Sequence, residues 1–296
     1  MCNQLYKFQY IICGGDNREV ELFHIWNQKG VPVNVAGLDE SDTIPRDKIA
    51  TQKQWENADI LILPVWGINE EGNVVSKLAS SPMEIANYLN CRERKLLVLT
   101  GPIAPNLLKN VSENIRVIKT SDDQELAWIN SILTAEGAIL QALKVSTIAI
   151  NKSFCLVLGL GRCGTSLALR LKGLGAKVIV VVRREESIAL ASSYNLDAIS
   201  FDHLNSYLCK VEFIFNTVPA KVLNENYLVS INKNVEIIDL ASSPGGVDLK
   251  ASKLLQLKVH TLPGLPGKVA PQTAALNLDR VYKRIIMENL NYIEGE

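Results

Sequence analysis

Six residues near the middle of the chain have the types and spacing to hold a phosphate. Gly159-Leu160-Gly161-Arg162-Cys163-Gly164 follows the apolar run FCLVL and precedes the helical stretch TSLALRLKGLG. In such a turn the first glycine permits the tight bend, the second lets the backbone approach a pyrophosphate, and the third lets helix and strand pack closely. The pyrophosphate then rests on a helix N-terminus, whose unsatisfied N–H groups and dipole favour an anion. A glycine-rich turn alone also occurs in doubly wound domains that bind no nucleotide. A strand before it and a helix after it make a dinucleotide site the better reading.

The next run, KVIVVV at residues 177–182, ends in Arg183-Arg184. An Asp or Glu at that point accepts from the adenosine ribose hydroxyls of NAD, whereas arginine pairs by forked hydrogen bonds with the 2′-phosphate of NADP. NADP is therefore the expected cofactor. The other arrangement open to this sequence has two solvated arginines at the sheet edge, with Glu185 or Glu186 at the ribose.

Further along, Asn216-Thr217-Val218-Pro219 closes one apolar run and Asp239-Leu240-Ala241-Ser242-Ser243 closes another. Strand C-termini in an open α/β sheet converge on the ligand crevice. Thr217, Val218, Pro219, Ala241 and Ser242 therefore join the cofactor set, with Gly264 and Pro266 from the loop after the last strand. Polar residues and proline are also what any strand-ending turn contains.

Short apolar runs rich in β-branched residues alternate with helical stretches along the whole chain, the pattern that builds parallel sheets by crossover connections. Strands are expected at residues 9–13, 31–35, 59–63, 96–100 and 116–118 of the first half. In the second half they are expected at 154–158, 177–182, 213–216, 235–240 and 259–262. Between the halves, residues 127–145 have apolar side chains at helical spacing, with Ile132, Ala135, Ile139, Ala142 and Leu143 near one face.

The expected fold is α/β: two doubly wound Rossmann-like domains with parallel sheets, a cleft between them, and a linking helix. The domains are expected at 1–126 and 146–271, joined by the 127–145 helix. A final helix over 272–296 is expected to return to the first domain, by analogy with two-domain dehydrogenases.

At 296 residues the chain is long for a single core. Lys plus Arg and Asp plus Glu both count 31, so no overall field attracts nucleic acid or an anionic membrane. The six cysteines contain no CxxC pair, so neither a zinc site nor a disulfide frame is expected, and no metal site is assigned. The N-terminus lacks the layout of a signal peptide, and no apolar run approaches bilayer-spanning length. The expected location is cytoplasmic.

CGGDNREVEL at 13–22, LPV at 63–65, NSILTAEGAI at 130–139, LASSPGGVD at 240–248 and LPGLPGKVAPQTAA at 262–275 resemble one family, the dipicolinate synthase A subunits of endospore-forming bacteria. The resemblance covers nearly the whole chain. It implies NADP-linked oxidation of a dihydrodipicolinate or hydroxy-tetrahydrodipicolinate precursor to dipicolinic acid during sporulation, in the mother cell. It also implies partnership with the flavoprotein-like B subunit of dipicolinate synthase. No motif names that substrate unaided, and the homo-oligomeric state is left open.

A dicarboxylate substrate calls for cations aimed at its carboxyl groups. Arg18, after Gly14-Gly15-Asp16, and Lys268, in the proline- and glycine-rich loop expected beside the nicotinamide, are the candidates. Arg18 equally suits an ion pair with Asp16 or Glu21 at a helix start, and Lys268 a solvated loop position. Thr134 of the linking helix is a third candidate, for a hydrogen bond to substrate or nicotinamide amide. His24, His203 and His260 lie outside all of these motifs, which counts against a hydroxy-acid dehydrogenase. The rival readings are a cofactor-binding scaffold or sensor without catalysis, and another two-domain NAD(P)-dependent dehydrogenase, alanine-dehydrogenase-like or hydroxy-acid-dehydrogenase-like.

Overall fold

Runs of Val, Ile and Leu too short for a helix form two parallel sheets in the computed structural model, which describes residues 5–242 and 244–295. The chain makes two compact units. One runs to Ala127 and resumes at Ala270, and the other is Trp128–Val269.

In the first unit the strands are β1 (Tyr10–Cys13), β2 (Val33–Ala36), β3 (Ile60–Ile62), β4 (Asn73–Val74), β5 (Met83–Glu84), β6 (Leu96–Thr100) and β7 (Ile115–Lys119). The sheet order is β2-β1-β3-β6-β7, all parallel, and β4 and β5 form a separate antiparallel pair. The chain leaves β1 to one side for β2 and crosses to the other side for β3, so the topological switch lies between β1 and β3. In open α/β sheets ligands bind beyond the strand C-termini at such a point.

The second unit holds β8 (Phe154–Leu158), β9 (Lys177–Val182), β10 (Asp197–Ser200), β11 (Phe213–Asn216), β12 (Glu236–Asp239) and β13 (Lys258–Thr261). Their order, β10-β9-β8-β11-β12-β13, is the 3-2-1-4-5-6 arrangement of dinucleotide-binding sheets, with its switch point between β8 and β11. Phe213, Phe215, Cys155 and Val157 point into one layer and Leu156, Leu158 and Ile214 into the other, so both faces are covered. This two-sided burial is why the strands read as unbroken apolar runs rather than alternating ones.

The helix joining the halves spans Gln124–Val145. Its buried stripe is Ser131, Ala135, Ala138 and Ala142, while Ile132 and Leu143 of the expected apolar face are exposed. Ala135 and Ala142 of the expected face are buried and Ile139 packs against the same core, while Leu133, outside that face, is buried as well. The helix is apolar on most sides, so periodicity alone does not fix which side turns inward, and small residues along it allow close approach to the helix Arg162–Gly173. By length and composition this helix could cross a membrane, which corrects the expectation that no apolar run was long enough. Here, however, its small-residue stripe belongs to the core of the second unit.

The C-terminal helix Pro271–Glu288 packs on Asn17–Gln28 in the first unit. Trp26 Nε1 donates to Asp279 Oδ1 at 2.6 Å, and Lys29 and Lys283 pair with the same carboxylate. Leu278, Val281, Ile285 and Ile286 are buried as the pattern implies, but Leu276 is exposed. Among the described cysteines all are free thiols; Cys13 and Cys155 are buried, whereas Cys91 and Cys209 are exposed.

Candidate functional site

The three glycines of the fingerprint sit in three different situations. Gly159 has φ +95, and a Cβ there would meet Thr217 Oγ1 at 2.8 Å. A Cβ on Gly164 would lie 2.1 Å from the Gly159 carbonyl oxygen, so helix and strand could not close. A Cβ on Gly161 would meet no protein atom within 4 Å. Packing within the chain therefore does not demand glycine at 161, whereas close approach by a pyrophosphate does.

Gly161 is also the N-cap of the helix Arg162–Gly173 and supplies no side-chain cap hydrogen bond. A helix N-terminus with no side chain capping it is a favourable place for an anion. A nicotinamide dinucleotide fits the residues present.

Around this turn, Thr217 Oγ1 donates to the Leu158 carbonyl at 2.8 Å, binding the end of β11 to the end of β8. Buried Asn216 donates to Asp239 Oδ1 at 2.8 Å, and Asp239 accepts from Ala241 N–H and Gly246 N–H. This network ties Ala241 and Gly246 to the end of β12 and holds Ala241 buried, with Ser242 exposed beside it. Val218 is half-buried and Pro219 exposed. Arg183 and Arg184 follow β9 directly and are exposed. Arg184 makes a loose contact to Glu186 at 3.7 Å, too solvated to hold the guanidinium in place.

The region expected as a loop after β13 contains a short helix, Leu265–Val269. Its Leu265 and Val269 pack against Gly137 of the linking helix, which is what turns the proline- and glycine-rich segment into a helical turn. Gly264 and Lys268 are exposed and Pro266 is buried, so Pro266 supports the segment. Thr134 Oγ1 donates to Asn130 O at 3.0 Å and shares a hydrogen bond with Cys163. Burial pushes the Cys163 thiol upward, against the pull of Arg162 and Thr134. Ser131 and Ser166 share a buried hydrogen bond at 2.7 Å, fixing the linking helix to the fingerprint helix.

In the first unit, the β1 and β3 ends gather Asp16, Arg18, Glu19, Trp66 and Lys77. Arg18 is 5% exposed and holds Asp16 through Nε to Oδ1 at 3.0 Å and Nη2 to Oδ2 at 3.1 Å. Burial alone would raise the Asp16 carboxyl, but the Arg18 guanidinium and Lys77 hold it below its ordinary value. Glu19 accepts from Asp16 N–H at 2.8 Å and from Val65 N–H at 3.4 Å, joining the two loops. Burial pushes its carboxyl up to about 7. Sequence reasoning missed Lys77 and Trp66, whose segments carry no helix or strand signal; the switch point of the sheet is the feature that finds them.

Comparison with known proteins places these units. Residues 9–120 match the family described as the N-terminal domain of the dipicolinate synthase A subunit. Residues 129–242 match the NAD binding domain of the D-isomer specific 2-hydroxyacid dehydrogenases. The dipicolinate synthase A subunit of Bacillus subtilis strain 168 is 29% identical over 283 residues, 94% of this chain and 95% of that one. The chain is a relative of the dipicolinate synthase A subunit.

Two solved A subunits agree. That of Bacillus halodurans superposes with TM-score 0.83 at 29% identity, covering 95% of this chain and 98% of the other. That of Bacillus subtilis gives 0.82 at 28% identity, with 97% of each chain covered. Like them the chain is a two-unit α/β protein, and its second unit is a nicotinamide-dinucleotide domain of the oxidoreductase type.

Proposed function

We propose that this chain is the A subunit of a dipicolinate synthase, oxidising a dihydrodipicolinate-type dicarboxylate with NADP and working alongside the B subunit. One observation carries the reading. Arg183 and Arg184 stand immediately past β9, where a 2′-phosphate binds, in a chain whose first unit matches the dipicolinate synthase A family.

The cofactor supplies a hydride acceptor at its nicotinamide ring. Gly159, Gly161, Arg162, Cys163 and Gly164 would hold its pyrophosphate, and Arg183 and Arg184 its 2′-phosphate. Thr217, Val218, Pro219, Ala241, Ser242 and Gly264 would border the rest. Thr134 and Lys268 are assigned to the reacting end.

The dihydropyridine ring loses one C–H as hydride and another as a proton, forming the aromatic product. Aromatisation drives this step, so the protein's main task is orientation of the ring. With a hydroxylated tetrahydro precursor, water must leave as well, and general acid or base help is then needed.

The test is absorbance at the reduced-nicotinamide band with purified chain, freshly generated precursor and NADP or NAD, with and without the B subunit. Reduction of NADP coupled to dipicolinate formation is expected. Tight NADPH binding without reduction in any combination would make the chain a cofactor-binding scaffold instead.

A further inference from the structure

The crevice at the ends of β1 and β3 carries more positive charge than its buried members use. Arg18 is buried and spends Nε and Nη2 on the Asp16 carboxylate. Asp16 and Glu19 form a capping box on the helix Asn17–Gln28 and take up donors at its start. Burial pushes the Glu19 carboxyl up to about 7, so near neutral pH it carries only part of a negative charge. Among the described residues at these strand ends, Lys77 is the exposed cation. Its side chain is 48% exposed, and its Nζ reaches Asp16 Oδ2 only at 3.4 Å.

The position of this lysine is built rather than incidental. Lys77 N–H donates to the Gly15 carbonyl at 2.9 Å, and Ser76 Oγ donates to the same oxygen at 3.2 Å. Trp66 Nε1 donates to Val75 O at 3.0 Å. These bonds tie residues 75–78 across the turn after β1. Lys77 Nζ stands 4.8 Å from the centroid of the Trp66 ring, which walls one side of the ammonium with an aromatic surface. A cation held this way offers spare N–H donors to an arriving anion.

We propose that Lys77, rather than the buried Arg18, recognises a carboxylate of the substrate in this crevice, so that the ligand class is a small ring carboxylate. The inference rests on the dicarboxylate reading above. Calorimetric titration of the whole chain with pyridine-2,6-dicarboxylate, with and without NADPH, separates the two.

Saturable binding is expected for the wild type, weakened about 10-fold or more in Lys77→Met and restored to within about threefold in Lys77→Arg. Thermal midpoints should be unchanged. Unsubstituted pyridine should not bind. Equal affinity of wild type and Lys77→Met overturns the assignment, as does absence of dicarboxylate binding by the wild type. A wild type that binds the dicarboxylate but never oxidises the precursor contradicts the proposed function and leaves Lys77 in place.

Discussion

Asp16 and Arg18 face each other through two parallel hydrogen bonds, Nε to Oδ1 at 3.0 Å and Nη2 to Oδ2 at 3.1 Å, with both side chains buried. Asp16→Asn removes the charge that compensates the guanidinium and should cost about 3 kcal/mol or more of stability, the usual result of leaving one member of a buried pair alone. Urea unfolding would show it as a lower midpoint at unchanged slope. A midpoint equal to wild type would mean that the pair is solvated.

Glu19 has the opposite character, because burial raises its carboxyl from 4.5 to about 7, with Asp16 adding to the rise and Arg18 opposing it. Between those values the folded chain holds a proton that the unfolded chain has released. Stability therefore falls as pH rises through that window. Glu19→Gln keeps a capping-box side chain and should flatten the fall. Melting at about pH 5 and about pH 8 checks it, and an unchanged fall in the variant would assign the pH dependence elsewhere.

The fingerprint glycines should separate folding from binding. Gly161→Ala, whose Cβ meets nothing in the protein, should stay within about 1 kcal/mol of wild-type stability and yet weaken NADPH binding about 10-fold or more. Gly164→Ala puts a Cβ 2.1 Å from the Gly159 carbonyl and should lose stability as well. Fluorescence titration with NADPH, paired with thermal melts, distinguishes the two.

Replacing Arg183 and Arg184 together by Gln should weaken NADP binding about 10-fold or more while leaving NAD binding within about twofold. Equal losses for both cofactors would show that the pair does not read the 2′-phosphate.

Much of the second unit was legible because its chemistry dictates its spacing. Gly159 and Gly164 mark the turn where β8 and the next helix meet too closely for a side chain, and Arg183 follows the last residue of β9. The linking helix was legible as a helix but only in part in its orientation: Ala135 and Ala142 of the expected face are buried, Ile132 and Leu143 are not, and an apolar stretch has no polar face to settle the choice. β10 escaped notice because Asp197–Ser200 is a short, half-exposed edge strand without an apolar run. Lys77 was invisible for a different reason. It becomes a candidate only once the order β2-β1-β3 brings residues 75–78 over the turn after β1.

Isotope transfer is the sharpest test that a hydride passes from the dicarboxylate ring to NADP on this chain. Precursor deuterated at its saturated ring carbons would be incubated with the chain, NADP and the B subunit, and the recovered cofactor weighed by mass spectrometry. Reduced cofactor one deuterium heavier, formed in step with dipicolinate, is expected. Unlabelled reduced cofactor, or dipicolinate appearing with no cofactor reduction, would contradict it.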